Sequence, residues 1–216
     1  MDYKQPIKAT ISVGYQNLSE LIIVSLGITL TLVPLVVTGL VGTSLTVLGG
    51  LWATCLLLGI SVVAAFRYTT TITERGVSID LWPTIAPVLK DPMLGLKVGT
   101  ITFSVLVVTI LGLLLAPEVY RSIVVGIATF LLVLWYLVVA FATPELGTGQ
   151  GLISALRSSS VRLGESPESA IVFLVLTVTC TFITGVTVIT IGLFLPGLLA
   201  LLAAQMTAAV NGRVNQ

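Results

Sequence analysis

The sequence predicts an all-α fold: a polytopic transmembrane helical bundle of five or six spans, with the N-terminus in the cytoplasm. Three observations carry this. Apolar residues make up 56% of the 216 and charged residues only 9%, with a mean hydropathy of +1.13. A water-soluble domain carries about 25% charged residues, whereas a charge near the bilayer centre costs several kcal/mol. The apolar residues also fall in runs long enough to cross about 30 Å of hydrocarbon. Finally, the basic residues collect on one side of the resulting hairpins, as cytoplasmic loops do. The whole chain, 1–216, reads as one transmembrane domain.

The first apolar run covers about 21–38. Asn17-Leu-Ser-Glu20 precedes it as a capping box, which sets a helix start. Pro34 lies near its far end, where a missing amide hydrogen kinks or ends a helix. An uncharged turn, Gly39 to Ser44, leads to the second run at about 45–66, which Arg67 and Tyr68 close. The polar stretch 67–97 is expected on the cytoplasmic side. Its middle, Ile79 to Lys90 with Trp82, reads as a segment lying along the headgroups, and a plain cytoplasmic loop is the alternative.

The third and fourth spans are expected at about 98–116 and 123–141. Pro144, Gly147, Gly149 and Gly151 mark a second cytoplasmic loop, 142–170, in which Leu152 to Leu163 form a short amphipathic helix. Ser166-Pro167-Glu168 reads as an N-cap followed by proline at the first helical position. The remaining apolar stretch, Ala170 to Val210, would extend about 60 Å as one helix, twice the bilayer core. A turn at Gly192 to Gly197, around Pro196, divides it into spans at about 171–191 and 198–210. Five spans followed by a surface helix is the alternative.

With six spans, Lys4, Lys8, Arg67, Arg75, Lys90, Lys97, Arg157, Arg162 and Arg213 share one side, and only Arg121 lies on the other. The bias places both termini and both long loops in the cytoplasm, and the chain in the plasma membrane. With five spans Arg213 changes side and the orientation stands.

Little in the sequence points to chemistry. Histidine is absent, which removes the commonest general base and zinc ligand. No phosphate-cradling loop or nucleophile turn occurs. Every charged residue falls at a span end or in a loop, so no carboxylate relay for ion-coupled transport is evident. Cys55 and Cys180 lie in apolar runs and read as small buried side chains. Glu165 and Glu168 come nearest to a metal pair but read as solvated helix-start charges. No catalytic, cofactor-binding or metal residue is expected. A net charge of +1 gives no reason to expect nucleic acid. Gln205, inside an apolar run, is expected to bond to a neighbouring helix. Small residues spaced by four, Gly95 with Gly99 and Ala204 with Ala208, mark candidate helix-packing stripes within the chain.

Val33-Pro34-Leu-Val-Val-Thr38-Gly39 resembles the first hairpin of the YesL-like family of small multi-pass membrane proteins. That hairpin carries Leu-Pro, two aliphatics, a threonine, and a glycine five positions after the proline. Here valine replaces the leucine and the threonine is displaced by one. The wider plan is similar over nearly the whole chain: a hairpin, a polar loop with a tryptophan, two spans, a basic loop at Ala155-Leu-Arg157 and an apolar C-terminal region. The resemblance implies an accessory protein of the kind encoded beside sugar-uptake systems, and no catalytic residues.

Ser158-Ser-Ser160-Val-Arg-Leu-Gly164 is similar to the Glu-Ala-Ala-x-x-x-Gly stretch with which importer permeases dock an ATPase. It lacks the glutamate, has Leu163 where aspartate usually precedes the glycine, and has no Leu-Pro downstream. Arg157, Arg162 and Gly164 are accordingly the candidate partner-contact residues. The expectation is a non-enzymatic membrane accessory or assembly component, with the lipid bilayer and a membrane or ATPase protein as partners. A permease-type transporter subunit with a coupling helix near 152–164 is the alternative.

Overall fold

Runs of Leu, Val and Ile without charge can satisfy their peptide groups in lipid only by bonding within a helix or a closed barrel. The computed structural model takes the helical solution. It describes residues 4–75, 79–185 and 188–214, and their side chains except for 4–7, 9, 180–194 and 210–214. Among the described residues the elements are α1 (Lys4–Gln16), α2 (Leu18–Leu30), α3 (Val33–Val41), α4 (Ser44–Arg75), α5 (Leu81–Lys90), α6 (Met93–Leu115), α7 (Arg121–Phe141), α8 (Thr143–Gly147), α9 (Leu152–Glu165), α10 (Pro167–Gly185) and α11 (Val188–Val214).

Four stretches are long and apolar enough to cross a membrane: Leu18–Val41, which joins α2 and α3, then α4, α6, and α7 with the short 3-10 turn before it. Only 11–33% of the most apolar part of each is buried in the protein. Much of the remaining apolar surface faces outward, as lipid contact demands. Shorter apolar helices run over Pro167–Thr179 and Leu195–Ala209. The expected spans at 171–191 and 198–210 fall partly outside the described side chains, as do Cys180, Lys4 and Arg213.

Several expectations need correcting. Asn17 makes no capping bond; its amide instead donates to Val13 O at 2.9 Å, because α1 runs directly into the joint. The α1 helix itself was not anticipated. The first span breaks at Thr31–Leu32, where amides bond three residues back, and resumes with Pro34 in the first turn of α3. Pro34 thus follows the kink and fits a position that needs no amide donor.

Arg67 does not close the second helix. α4 continues to Arg75, and its 32 residues span about 48 Å. Tyr68, Thr69 and Ile72 are fully buried there. The Thr69 and Thr71 hydroxyls donate back to Ala65 O and Arg67 O, at 2.9 and 2.7 Å, so this polar stretch does not disrupt the helix. The expected loop 67–97 is therefore mostly helix. Within it α5 is amphipathic: Val88 is buried and Leu81 and Ile85 pack on the core, while Trp82 and Leu89 are exposed.

The expected turn at Gly192–Gly197 lies inside α11, so Pro196 is not a turn. Tertiary contact compensates for the bond that proline interrupts: the Gly197 amide donates to Ser25 Oγ of α2 at 2.8 Å. A Cβ on Gly197 would sit 2.7 Å from Leu21 O, so α2 and α11 touch backbone to backbone.

The long α4 is the centre of the fold, packed by α3, α5, α6, α8 and α11. Its Gly59 meets Gly95 and Gly99 of α6 where the two helices cross. Added Cβ atoms would lie 2.5 Å from Ile60 Cα at Gly95 and 2.8 Å from Leu56 Cα at Gly99. Ala204 is buried but Ala208 is exposed, so that pair does not form one packed stripe. Gln205 Nε2 donates to Thr73 Oγ1 of α4 at 3.3 Å.

Candidate functional site

The segment expected as loop 142–170 holds the polar centre of the molecule. α7 ends at Phe141, and Thr143-Pro144-Glu145-Leu146-Gly147 turns at once into α8, with proline in its first turn. The short helix is not on the surface. Thr143 and Leu146 are fully buried, and Gly147 lies against α4, where a Cβ would come within 2.9 Å of Phe66 O. The Thr143 hydroxyl donates to Ala140 O and joins α7 to α8.

This placement draws Glu145 inside, where it is 6% exposed. A lone carboxylate there would be expensive. α9 supplies its counter-charge: the Arg162 guanidinium donates from Nη2 to Glu145 Oε1, and from Nη1 to Oε2 at 2.9 Å and to Phe141 O at 3.1 Å. Ser158, one turn earlier, donates to Oε1 at 2.9 Å, and Ser159 donates to Val138 O at 2.5 Å. The fork geometry is that of a strong bidentate pair. Both carboxylate oxygens and two faces of the guanidinium are thereby committed to tying α7, α8 and α9 together.

Arg162, expected as a partner-contact residue, is instead turned inward and bonded to Glu145 and the Phe141 carbonyl. Arg157 and Gly164 are exposed, on the α9 face that also carries Ile153, Ser160 and Val161. Sequence reasoning missed Glu145, which precedes Arg162 by seventeen residues. Its only sequence signal is Pro-Glu directly after an aromatic-rich span.

Above this junction lies an apolar cavity of about 310 Å³ lined by residues such as Phe66, Val98, Trp135, Val139, Phe173 and Pro196. The Trp135 indole donates to Thr102 Oγ1 at 3.2 Å, which leaves the wall almost without free polar atoms. Phe173 stacks on Tyr136 and meets Phe141 edge-on, each at 5.9 Å between centroids.

A second feature is a basic rim at the end of the molecule that carries α5 and α9. Arg67 and Arg75 face a polar cleft with Thr71, Asp80 and Thr84. Lys97 of α6 and Arg157 of α9 share a larger crevice of about 970 Å³. Among the described residues no three His, Cys, Asp or Glu side chains come together as a metal site would need; Glu165 and Glu168 are both exposed. Comparison with family models, with curated proteins and with solved structures finds no match. It bears on the YesL-like resemblance in neither direction.

Proposed function

We propose that this chain is a non-enzymatic integral protein of the plasma membrane, with its basic end in the cytoplasm. In this reading it serves as an accessory or assembly component that works through lateral helix surfaces and the basic rim. The observation that carries the reading is the commitment of Glu145. The most deeply placed carboxylate described has both oxygens held by Arg162 and Ser158, so it serves architecture and is not free to act as a base. The segregation of basic residues supports the orientation, and the YesL-like resemblance makes sugar uptake the process to examine first.

Photocrosslinking from within the membrane tests this. A photoreactive residue is placed at Val108 or Phe130 on the outward helix faces, or at Ser160 on α9. A discrete protein adduct at one of them, from cells at native expression, is the expected result. Lipid adducts alone at all three would sink the accessory reading.

One observation favours a second reading, a transporter subunit: Arg157, Ser160, Val161 and Gly164 form an exposed stripe on α9, free to dock a soluble ATPase. Gly164 has open space around it, so Gly164→Trp leaves the fold intact and obstructs docking. Unchanged binding and stimulation of a candidate ATPase by that variant would remove this reading.

A further inference from the structure

The crevice between α6 and α9 combines two features that neither the packing nor the ion pair explains. On α6, Met93, Lys97, Thr100 and Ile101 project on one face, as residues three or four apart do. On α9, Ile153 and Arg157 stand one turn apart and face the same space. Each helix thus offers a cation beside exposed aliphatic side chains; Ile153 is 84% exposed and Met93 57%. Neither Lys97 nor Arg157 makes an ion pair or hydrogen bond among the described residues. The hydroxyl protons nearby are already used: Thr100 donates to Leu96 O at 2.8 Å and Ser154 to Gly151 O at 2.6 Å. What remains is two free positive charges at the mouth of an otherwise apolar recess.

We propose that this crevice binds one anionic phospholipid of the adjacent leaflet, its phosphodiester held between Lys97 and Arg157. An acyl chain continues from there along α6. The outward side of α6 supplies the track: Ile101, Ser104, Val108 and Leu111 follow Lys97 at helical spacing, with Val108 65% and Leu111 49% exposed. From Lys97 to Val108 the helix rises about 16 Å, close to half the hydrocarbon thickness, so head and tail fit one leaflet. Charge complementarity selects the lipid class. A zwitterionic headgroup brings an ammonium group that offsets its phosphodiester charge beside the two cations, whereas phosphatidylglycerol carries none, and each basic residue near a membrane surface adds to the attraction of anionic lipid. Ser154 and the Gly151 backbone close the far side of the headgroup position. The inference rests on the membrane placement above but not on the accessory role, so either can fail alone.

The test uses the full chain in dodecyl maltoside micelles. Thermal unfolding is followed while phosphatidylglycerol or phosphatidylcholine is titrated in. Phosphatidylglycerol is expected to raise the midpoint saturably, by about 3 °C at ten times its half-saturation point, with phosphatidylcholine giving less than a third of that. Lys97→Gln with Arg157→Gln should abolish the difference, Lys97→Arg with Arg157→Lys should retain it, and Arg67→Gln with Arg75→Gln should leave it unchanged. All four residues line exposed clefts, and a parallel measurement, competition for a spin-labelled phosphatidylglycerol, reads occupancy without relying on stability. Equal effects of the two lipids would overturn the proposal. So would equal loss in the Arg67/Arg75 pair, which would mean diffuse attraction. A full shift from inorganic phosphate would show a site for anions in general. If the Lys97/Arg157 pair kept the lipid response but lost an ATPase or other protein crosslink at Ser160, the crevice would be a protein-docking site instead.

Discussion

Where α6 crosses α4, contact is made by removing side chains; where α9 meets α7 and α8, it is made by burying polar ones. At the first crossing Gly59, Gly95 and Gly99 let two backbones meet with nothing between them. At the second, an enclosed carboxylate is bonded by a guanidinium and one serine hydroxyl, and a second serine donates to the Val138 carbonyl. Lipid tails are as apolar as leucine, so water-driven burial does not hold helices together in a membrane. Close packing and internal hydrogen bonding are what remain, and each of these two contacts relies on one of them. The glycine crossing tolerates no added atom. The polar junction tolerates no missing partner.

The polar side should break most severely. Glu145→Ala leaves the Arg162 guanidinium enclosed without a counter-charge, which should cost about 3–5 kcal/mol. For a protein of this size that lowers the unfolding midpoint by about 10 °C or more. Removing both charges, with Glu145→Leu and Arg162→Met, should restore much of the loss, since a well-packed apolar replacement of a buried pair is often nearly neutral. Thermal unfolding in detergent reads both. A double variant as unstable as the single one would show that the pair does more than neutralise itself.

The glycine side should break next. Gly99→Ile puts a branched side chain where even a Cβ would lie 2.8 Å from Leu56 Cα, so α4 and α6 must separate. Overpacking of this kind costs about 1–3 kcal/mol. Gly126→Ile, on α7 with open space around the glycine, should cost much less by the same assay. Equal losses at the two positions would mean that helix propensity, not close approach, sets the penalty.

The same contrast explains what the sequence reveals. Gly95 and Gly99 are visible as a pair because the helical period that sets them on one face is local, and the apolar runs behind the four long helices are visible for the same reason. Their partner Gly59 is not, because it lies on another helix with no fixed offset. Glu145 is invisible on both counts: it sits in a Pro- and Gly-bearing segment that reads as loop, and its partner is on the next helix, seventeen residues on, at no fixed helical offset. The overrun of α4 past Arg67 and the helical Pro196 share one cause. Each is a stop signal overridden by hydrogen bonds, the threonine back-bonds within the helix in one case and the tertiary Ser25–Gly197 bond in the other.

That last bond gives a smaller prediction, at a third contact where both devices meet. Gly197 lets α2 approach α11, and Ser25 accepts an amide hydrogen from the turn that holds Pro196. Ser25→Ala should destabilise by about 1 kcal/mol, the cost of leaving a buried donor unmet. Adding Pro196→Ala lets the helix satisfy itself and should reduce the effect of the serine change. Additive losses in that double variant would mean that Ser25 acts through packing alone.

The smallest effect should carry the opposite sign. Thr70 lies on the α8 side of α4, 8% exposed, and its hydroxyl has no partner among the described residues although Gly147 packs directly over it. Its neighbour Thr69 is bonded to Ala65 O. An enclosed hydroxyl without a bond opposes folding, so Thr70→Val, which keeps the shape and removes the oxygen's polarity, should be neutral or stabilise by up to about 1 kcal/mol. The polar junction would then contain one group that is not part of its bonding, and the rule that α8 is held by completed pairs would sharpen. A loss as large as that of Ser25→Ala would mean instead that Thr70 bonds to a buried water between α4 and α8, and the junction would be wetter than its side chains alone suggest.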